Sequence, residues 1–100
     1  MRFECDEAID LSNQRKHGIS FQDATEVFRD PLFASLKDRI QGGEQRWQTY
    51  REVESWLLLM VAHTVREEDS HHGTTIEVIR IISARFASRK ERQRYEHENR

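Results

Sequence analysis

"LFASLKDRIQGGEQRWQTYREV", residues 32–53, decides the fold. On either side of Gln41-Gly42-Gly43-Glu44 the pattern has a period of two, which is the spacing of a strand with one buried face. Two such runs around a pair of glycines read as a β-hairpin. The chain is therefore committed to antiparallel sheet from Leu32 onward.

Upstream the spacing is helical. Asp6 is placed to cap a first helix with Glu7 in its first turn and Arg15, Lys16 and His17 in its last. Gly18 follows as the stop, an order that suits both the helix dipole and the C-terminal cap. Ser20 with Asp23 opens a second helix, with Ile19 set to staple against Ala24. Its apolar stripe is Phe21, Ala24, Val27 and Phe28, and Asp30-Pro31 ends it.

Downstream, "ESW" (54–56) marks a turn before a buried strand at 56–65, and "REEDSHHG" (66–73) reads as a polar loop. "TTIEVIRIIS" (74–83) is the last strand, and Ser88 with Glu91 forms the capping box of a terminal helix. The order ααββββα has no alternating βα units. It implies an α+β domain over residues 1–100, a four-stranded antiparallel sheet with the helices gathered on one face.

Composition narrows the function. The chain has 100 residues, 36% hydrophobic and 34% charged, with a net charge of −2, which argues against general nucleic-acid coating. The average hides a division. Residues 1–74 carry nine Lys+Arg against fourteen Asp+Glu, a net −5, whereas residues 75–100 carry seven against four, a net +3. Basic charge is local, as a site requires. One cysteine, Cys5, excludes an internal disulfide framework and suits a reducing compartment. No apolar leader follows Met1, and "WLLLMVA" (56–62) is too short to span a bilayer, so a cytoplasmic location is expected.

The +3 region holds "IRIISARFASRKERQRYE", residues 79–96, which passes from an apolar run to a charged one. Arg80 and Arg85 lie against isoleucines, where a guanidinium requires a partner. Arg89 and Lys90 occupy the first turn of the terminal helix, where cations oppose the dipole but can help hold an anion. Together they suggest a phosphate site. Lys16 and His17 offer a cation and a proton-exchanging group, or simply a helix C-terminus. Arg46 is a strand-surface residue or a further phosphate contact. His63 alternates with Leu57, Leu59 and Val61, the setting of a core histidine. His71 and His72 lack ligand spacing, so neither a metal nor another cofactor is expected.

Four blocks, "RKHGISFQDATEVFRDP" (15–31), "GEQRW" (43–47), "VAHT" (61–64) and "RIISARFASRKERQRYE" (80–96), together resemble the BrnT family of toxins. The resemblance implies a RelE-like fold, two N-terminal helices, an antiparallel sheet and a C-terminal helix. It also implies a metal-independent endoribonuclease of a type II toxin–antitoxin pair that inhibits translation. Its partners would be RNA and a BrnA-like antitoxin, with operator DNA reached only through that antitoxin. Lys16 and His17 then correspond to the family's KHG, Arg46 to its basic strand residue, His63 to its HT strand, and Arg80 and Arg85 to its strand arginines. Arg80, Arg85, Arg46, His63 and His17 are the expected catalytic residues, and Lys16, with Arg89 and Lys90 from the helix start, the expected RNA contacts. The start departs from the family pattern: "FECDEAI" (3–9) has Cys5 for Trp, Glu7 for Pro and Ile9 near an expected Lys.

RNA cleavage without metal needs a base, an acid and cations for the developing charge. Arg80 and Arg85 fit as phosphate clamps with Arg46 assisting, and His17 or His63 as proton-transfer groups. In a regular strand Arg80 and Arg85 face opposite ways. One site can use both only if the chain turns near Ser83 or Ala84. The rival is a non-enzymatic module whose basic C-terminal face binds nucleic acid or an acidic protein.

Overall fold

The hairpin is built as its glycines require. In the computed structural model, which describes residues 1–30, 33–54 and 57–98, β2 (Ala34–Gln41) and β3 (Glu44–Glu54) pair antiparallel across Gly42 and Gly43. Both glycines have positive φ, 60° and 80°, as a two-residue turn matched to strand twist demands. β3 pairs with β4 (Leu57–Asp69), and β4 with β5 (Thr75–Phe86), each antiparallel. The stops expected at Pro31 and at Ser55-Trp56 lie outside the described residues.

The N-terminal helices follow their caps. Asp6 accepts from the Ile9 amide at 3.1 Å to start α1 (Glu7–His17), and Gly18, at φ 71°, closes it. Ser20 caps α2 (Phe21–Thr25), which tightens into a 3₁₀ turn over Glu26–Arg29. Ser88 and Glu91 bond reciprocally at the start of α3 (Arg89–Glu98).

Three expectations need correction. Among the described residues the sheet has five strands, not four, in the order β1-β5-β4-β3-β2, because β1 (Arg2–Glu4) joins β5 in parallel. Three residues are too few to display a period. The sheet is therefore mixed rather than wholly antiparallel. The polar "REED" (66–69) belongs to β4, leaving only 70–74 as the loop. Its charges are carried by ion pairs on the sheet surface: Arg66 with Glu4 and Glu68, and Arg2 with Glu68.

The helices also occupy both faces of the sheet. Leu59 and Val61 of β4 pack with Phe21, Ala24, Val27, Ile79 and Ile81 beneath α2. Leu58 and Met60 point the other way and pack with Tyr50, with Leu36, Ala62 and Tyr95 of α3 against them. Consecutive residues serve opposite cores, which explains why this run reads as continuously apolar.

Candidate functional site

A discontinuity at the β1–β5 edge creates the site. β1 ends at Glu4, in register with Arg80, and the chain leaves through Cys5 and Asp6 into α1. Beyond that point, among the described residues, β5 has no strand on its outer side. The Asn13 side chain takes over, donating to the Ala84 carbonyl at 2.8 Å and accepting from the Ala84 amide at 3.1 Å. It thus copies a strand's pairing and satisfies backbone that burial would otherwise penalise.

Between the end of β1 and Asn13, β5 carries a bulge. Ala62 pairs with Ser83 but His63 with Ile81, so Ile82 is the extra residue. A bulge changes which side chains share a face. Ile79 and Ile81 lie on the α2 side, as does Ala84, despite the change from odd to even numbering. Arg80 and Arg85 consequently share the opposite face, which a regular strand would forbid. The turn required near Ser83 or Ala84 is this bulge.

The bulge also shapes a groove along α1. A depression of about 370 Å³ is lined by Asp6, Ile9, Arg46, Arg80, Ile81 and Ile82. A second, about 390 Å³, shares Ile9 and Ile82 with it and extends past Asn13 to Lys16, His17 and Ser83. Arg46 reaches the first from β3, its backbone in register with Thr64 and through it with Arg80. Two strand spacings place those two backbones roughly 10 Å apart. Asp6 and His17 stand at opposite ends of α1, about 16 Å apart at 1.5 Å per residue. The groove has two ends, with Arg46 and Arg80 at one and Lys16 and His17 at the other.

The two arginines of "RIISAR" differ in freedom. Arg80 donates to Glu44 at 2.9 Å, and both side chains are about half exposed (46% and 50%). Such a pair is weak enough for a competing phosphate to replace. Arg85 donates through both terminal nitrogens to the two carboxylate oxygens of Glu91, each at 2.7 Å. Burial works to raise the Glu91 pKa, but the hydrogen bonds from Arg85 and Ser88 bring it below the ordinary value. Arg85 is thereby tied to α3, and its backbone is roughly 16 Å along the strand from Arg80. The structure does not bring the two together as a single clamp. Arg89 and Lys90 are exposed in the first turn of α3 and line neither depression.

His63 does not reach the groove. It is 2% exposed on the α2 face, with Phe28 edge-on at a centroid distance of 5.0 Å. Its Nε2 lies 2.6 Å from the Thr49 hydroxyl, which lies 2.7 Å from that of Ser35. Burial lowers its pKa to about 4, against a weak opposing hydrogen bond with the Thr64 carbonyl. Its burial, its neutral ring and its place outside both depressions count against the expected proton-transfer role.

Sequence reasoning used Asp6 only as a helix cap and did not assign Ile9, Ile82 or Asn13 to a site. The capping signal was correct but silent about what else the carboxylate faces. The clue available was the break in register that Arg80 and Arg85 required. Glu44 and Glu91 were also missed as partners, because their pairings span 36 and 6 residues respectively.

Fold and groove define a class: a small α+β protein with a mixed sheet and a cationic furrow at one edge. The family model described as "Ribonuclease toxin, BrnT, of type II toxin-antitoxin system" matches residues 6–91. The chain belongs to that family. It is similar to the crystal structure of the Brucella abortus ribonuclease toxin BrnT, with a TM-score of 0.55 and 21% identity over 89% of this chain and 99% of that one. No curated protein matches the chain. Family membership makes it a toxin-component ribonuclease, with RNA as the target class and an antitoxin as partner.

Proposed function

We propose that residues 1–100 act as one toxin domain that cuts RNA in the groove between α1 and β5. Arg46 and Arg80 hold the scissile phosphate there, and Lys16 and His17 hold the adjoining stretch of strand. The observation that carries this reading is the convergence of Arg46 and Arg80 on one open depression, reached from two strands. Guanidinium groups suit the task because they stay charged and grip two phosphate oxygens at once. As charge builds on those oxygens in the transition state, preorganised donors stabilise it more than the ground state.

We also propose that cleavage is metal-independent. Among the described residues no three His, Cys, Asp or Glu side chains come together as ligands would. The consequence in a cell is arrest of translation, relieved by a BrnA-like antitoxin, which also carries the pair to operator DNA. Arg89, Lys90 and the rest of α3 lie outside the groove and are available to extend RNA contact or to meet the antitoxin. The proposed place of action is the cytoplasm; among the described residues no helix is long and apolar enough to cross a membrane.

The test is purified protein with single-stranded RNA, with and without EDTA, beside induced expression in growing bacteria. Cleavage at equal rates in both conditions, with growth arrest on induction, is expected. Activity abolished by EDTA and restored by a divalent ion would overturn the metal-free mechanism. Intact RNA under all conditions would overturn the assignment of the groove as an active site.

A further inference from the structure

We infer that Asp6 is a catalytic residue, the general base that takes the 2′-hydroxyl proton at the Arg46–Arg80 end of the groove. The inference rests on the proposed cleavage reaction and adds the group it lacks. His63 is enclosed in the core, and His17 stands about one length of α1 away from Arg46 and Arg80. A base must lie within hydrogen-bond reach of the proton it removes, or one water away.

Three carboxylates lie around Arg80, and of these Asp6 alone lines the depression that Arg46 and Arg80 share. Glu4 accepts from Arg66 at 2.5 Å, and that hydrogen bond holds its pKa below the ordinary value. Glu44 accepts from Arg80 and lines neither of the depressions that Arg80 lines. Asp6 uses Oδ1 to cap α1 at the Ile9 amide, and Oδ2 has no protein partner among the described residues. Asp6 lines the depression that holds Arg46 and Arg80, and also the adjoining one formed with Phe3, Glu4, Cys5 and Arg80. The helix cap fixes one oxygen and leaves the other to the groove. One side chain thus serves both fold and chemistry.

The step balances without a cofactor. Asp6 Oδ2 takes the 2′-hydroxyl proton, and the freed electron pair forms the O2′–P bond. The P–O5′ bond breaks, its electron pair leaving with the 5′-oxygen, which takes a proton from water. The hydroxide so formed removes the proton from Asp6. The products are a 2′,3′-cyclic phosphate and a 5′-hydroxyl end, and the surrounding guanidinium groups offset the extra negative charge at phosphorus.

The capping role makes the test clean, since Asn and Ser cap helices as well as Asp but are not bases. Asp6→Asn, Asp6→Ser and Asp6→Glu are compared with wild type for kcat and KM on an RNA oligonucleotide and for thermal midpoint. Wild-type cleavage, with a kcat loss of about 100-fold or more in the Asn and Ser variants, is expected. KM should stay within about threefold and the midpoints unchanged, and the Glu variant should recover part of the rate. A folded Asn or Ser variant with kcat within about threefold of wild type would overturn the inference and leave the proposed function standing. A wild-type protein that cuts no RNA would end both.

Discussion

His63 and Thr64 are consecutive on β4, and their partners Ile81 and Arg80 are consecutive on β5, yet these two rungs of one ladder do opposite work. The His63–Ile81 rung faces α2, where a titratable ring is kept dry and neutral among apolar side chains. The Thr64–Arg80 rung faces away from α2, where Arg46, Arg80 and Glu44 meet solvent beside the start of α1. Residue type alone does not separate them, because both rungs pair a polar side chain with a strand of isoleucines. What separates them is the side of the sheet a side chain takes, and the bulge at Ile82 sets that side for the rest of β5.

The contrast is sharpest in stability. Ile81→Ala on the dry rung should lose roughly 2–5 kcal/mol by leaving a cavity, a large part of what a small domain has. Urea unfolding measures it, and a loss below about 1 kcal/mol would mean that this face is less packed than its burial indicates.

The dry rung should also fail in acid. The folded His63 pKa is about 4 and the unfolded value near 6.5, so the unfolded chain binds the proton first as pH falls. Stability from this residue is therefore complete above pH 6.5 and declines towards pH 4, by about 3 kcal/mol. His63→Gln, unable to titrate, should flatten that part of the profile. Urea midpoints at several pH values compare the two proteins.

Arg85 occupies a position between these extremes. Its bidentate pair with Glu91 helps hold the polar helix α3 down, together with the Tyr95–Tyr50 ring contact, at 5.4 Å between centroids, and a bond from Arg94 to the Lys37 carbonyl. Arg85→Ala strands a part-buried carboxylate and should cost roughly 1–3 kcal/mol. Amide exchange should quicken in Arg89–Glu98 and change little elsewhere. Glu91's lowered pKa means that the pair contributes above the ordinary carboxylate range and fades as pH falls through Glu91's folded value. At the small end, Arg80→Ala breaks only an exposed ion pair and should move stability by less than about 1 kcal/mol. Thermal melts of the two variants beside wild type test both.

Much of this contrast could be read from the chain. Asp6, Gly18, Ser20 and Ser88 act through their immediate neighbours, and each cap formed as its local sequence requires. Gly42 and Gly43 likewise fixed their turn. His63 showed its burial in its alternation with Leu59 and Val61. The features that stayed hidden depend on partners distant in sequence. β1 is three residues whose pairing lies 76 positions away, Arg2 with Val78. The Arg80–Glu44 bond and the Asp6 side of the groove exist only once β5 has been laid between β1 and β4. The side on which α3 docks depends on Tyr95 meeting Tyr50, a contact that no local pattern encodes. Arg46, Lys16 and His17 were legible as residues of interest but not as two ends of one groove, because that separation is the length of α1.

The central claim is that the Arg46–Arg80 end of the groove, rather than the paired Arg85, carries the chemistry. Single-turnover cleavage of an RNA oligonucleotide by Arg46→Ala+Arg80→Ala and by Arg85→Ala, each shown to be folded, tests it directly. The double variant should lose at least about 100-fold in rate, the scale of removing preorganised donors from a developing anion. Arg85→Ala should stay within about tenfold of wild type. A double variant that cleaves at the wild-type rate, or an Arg85→Ala protein that is folded yet inactive, would contradict the account.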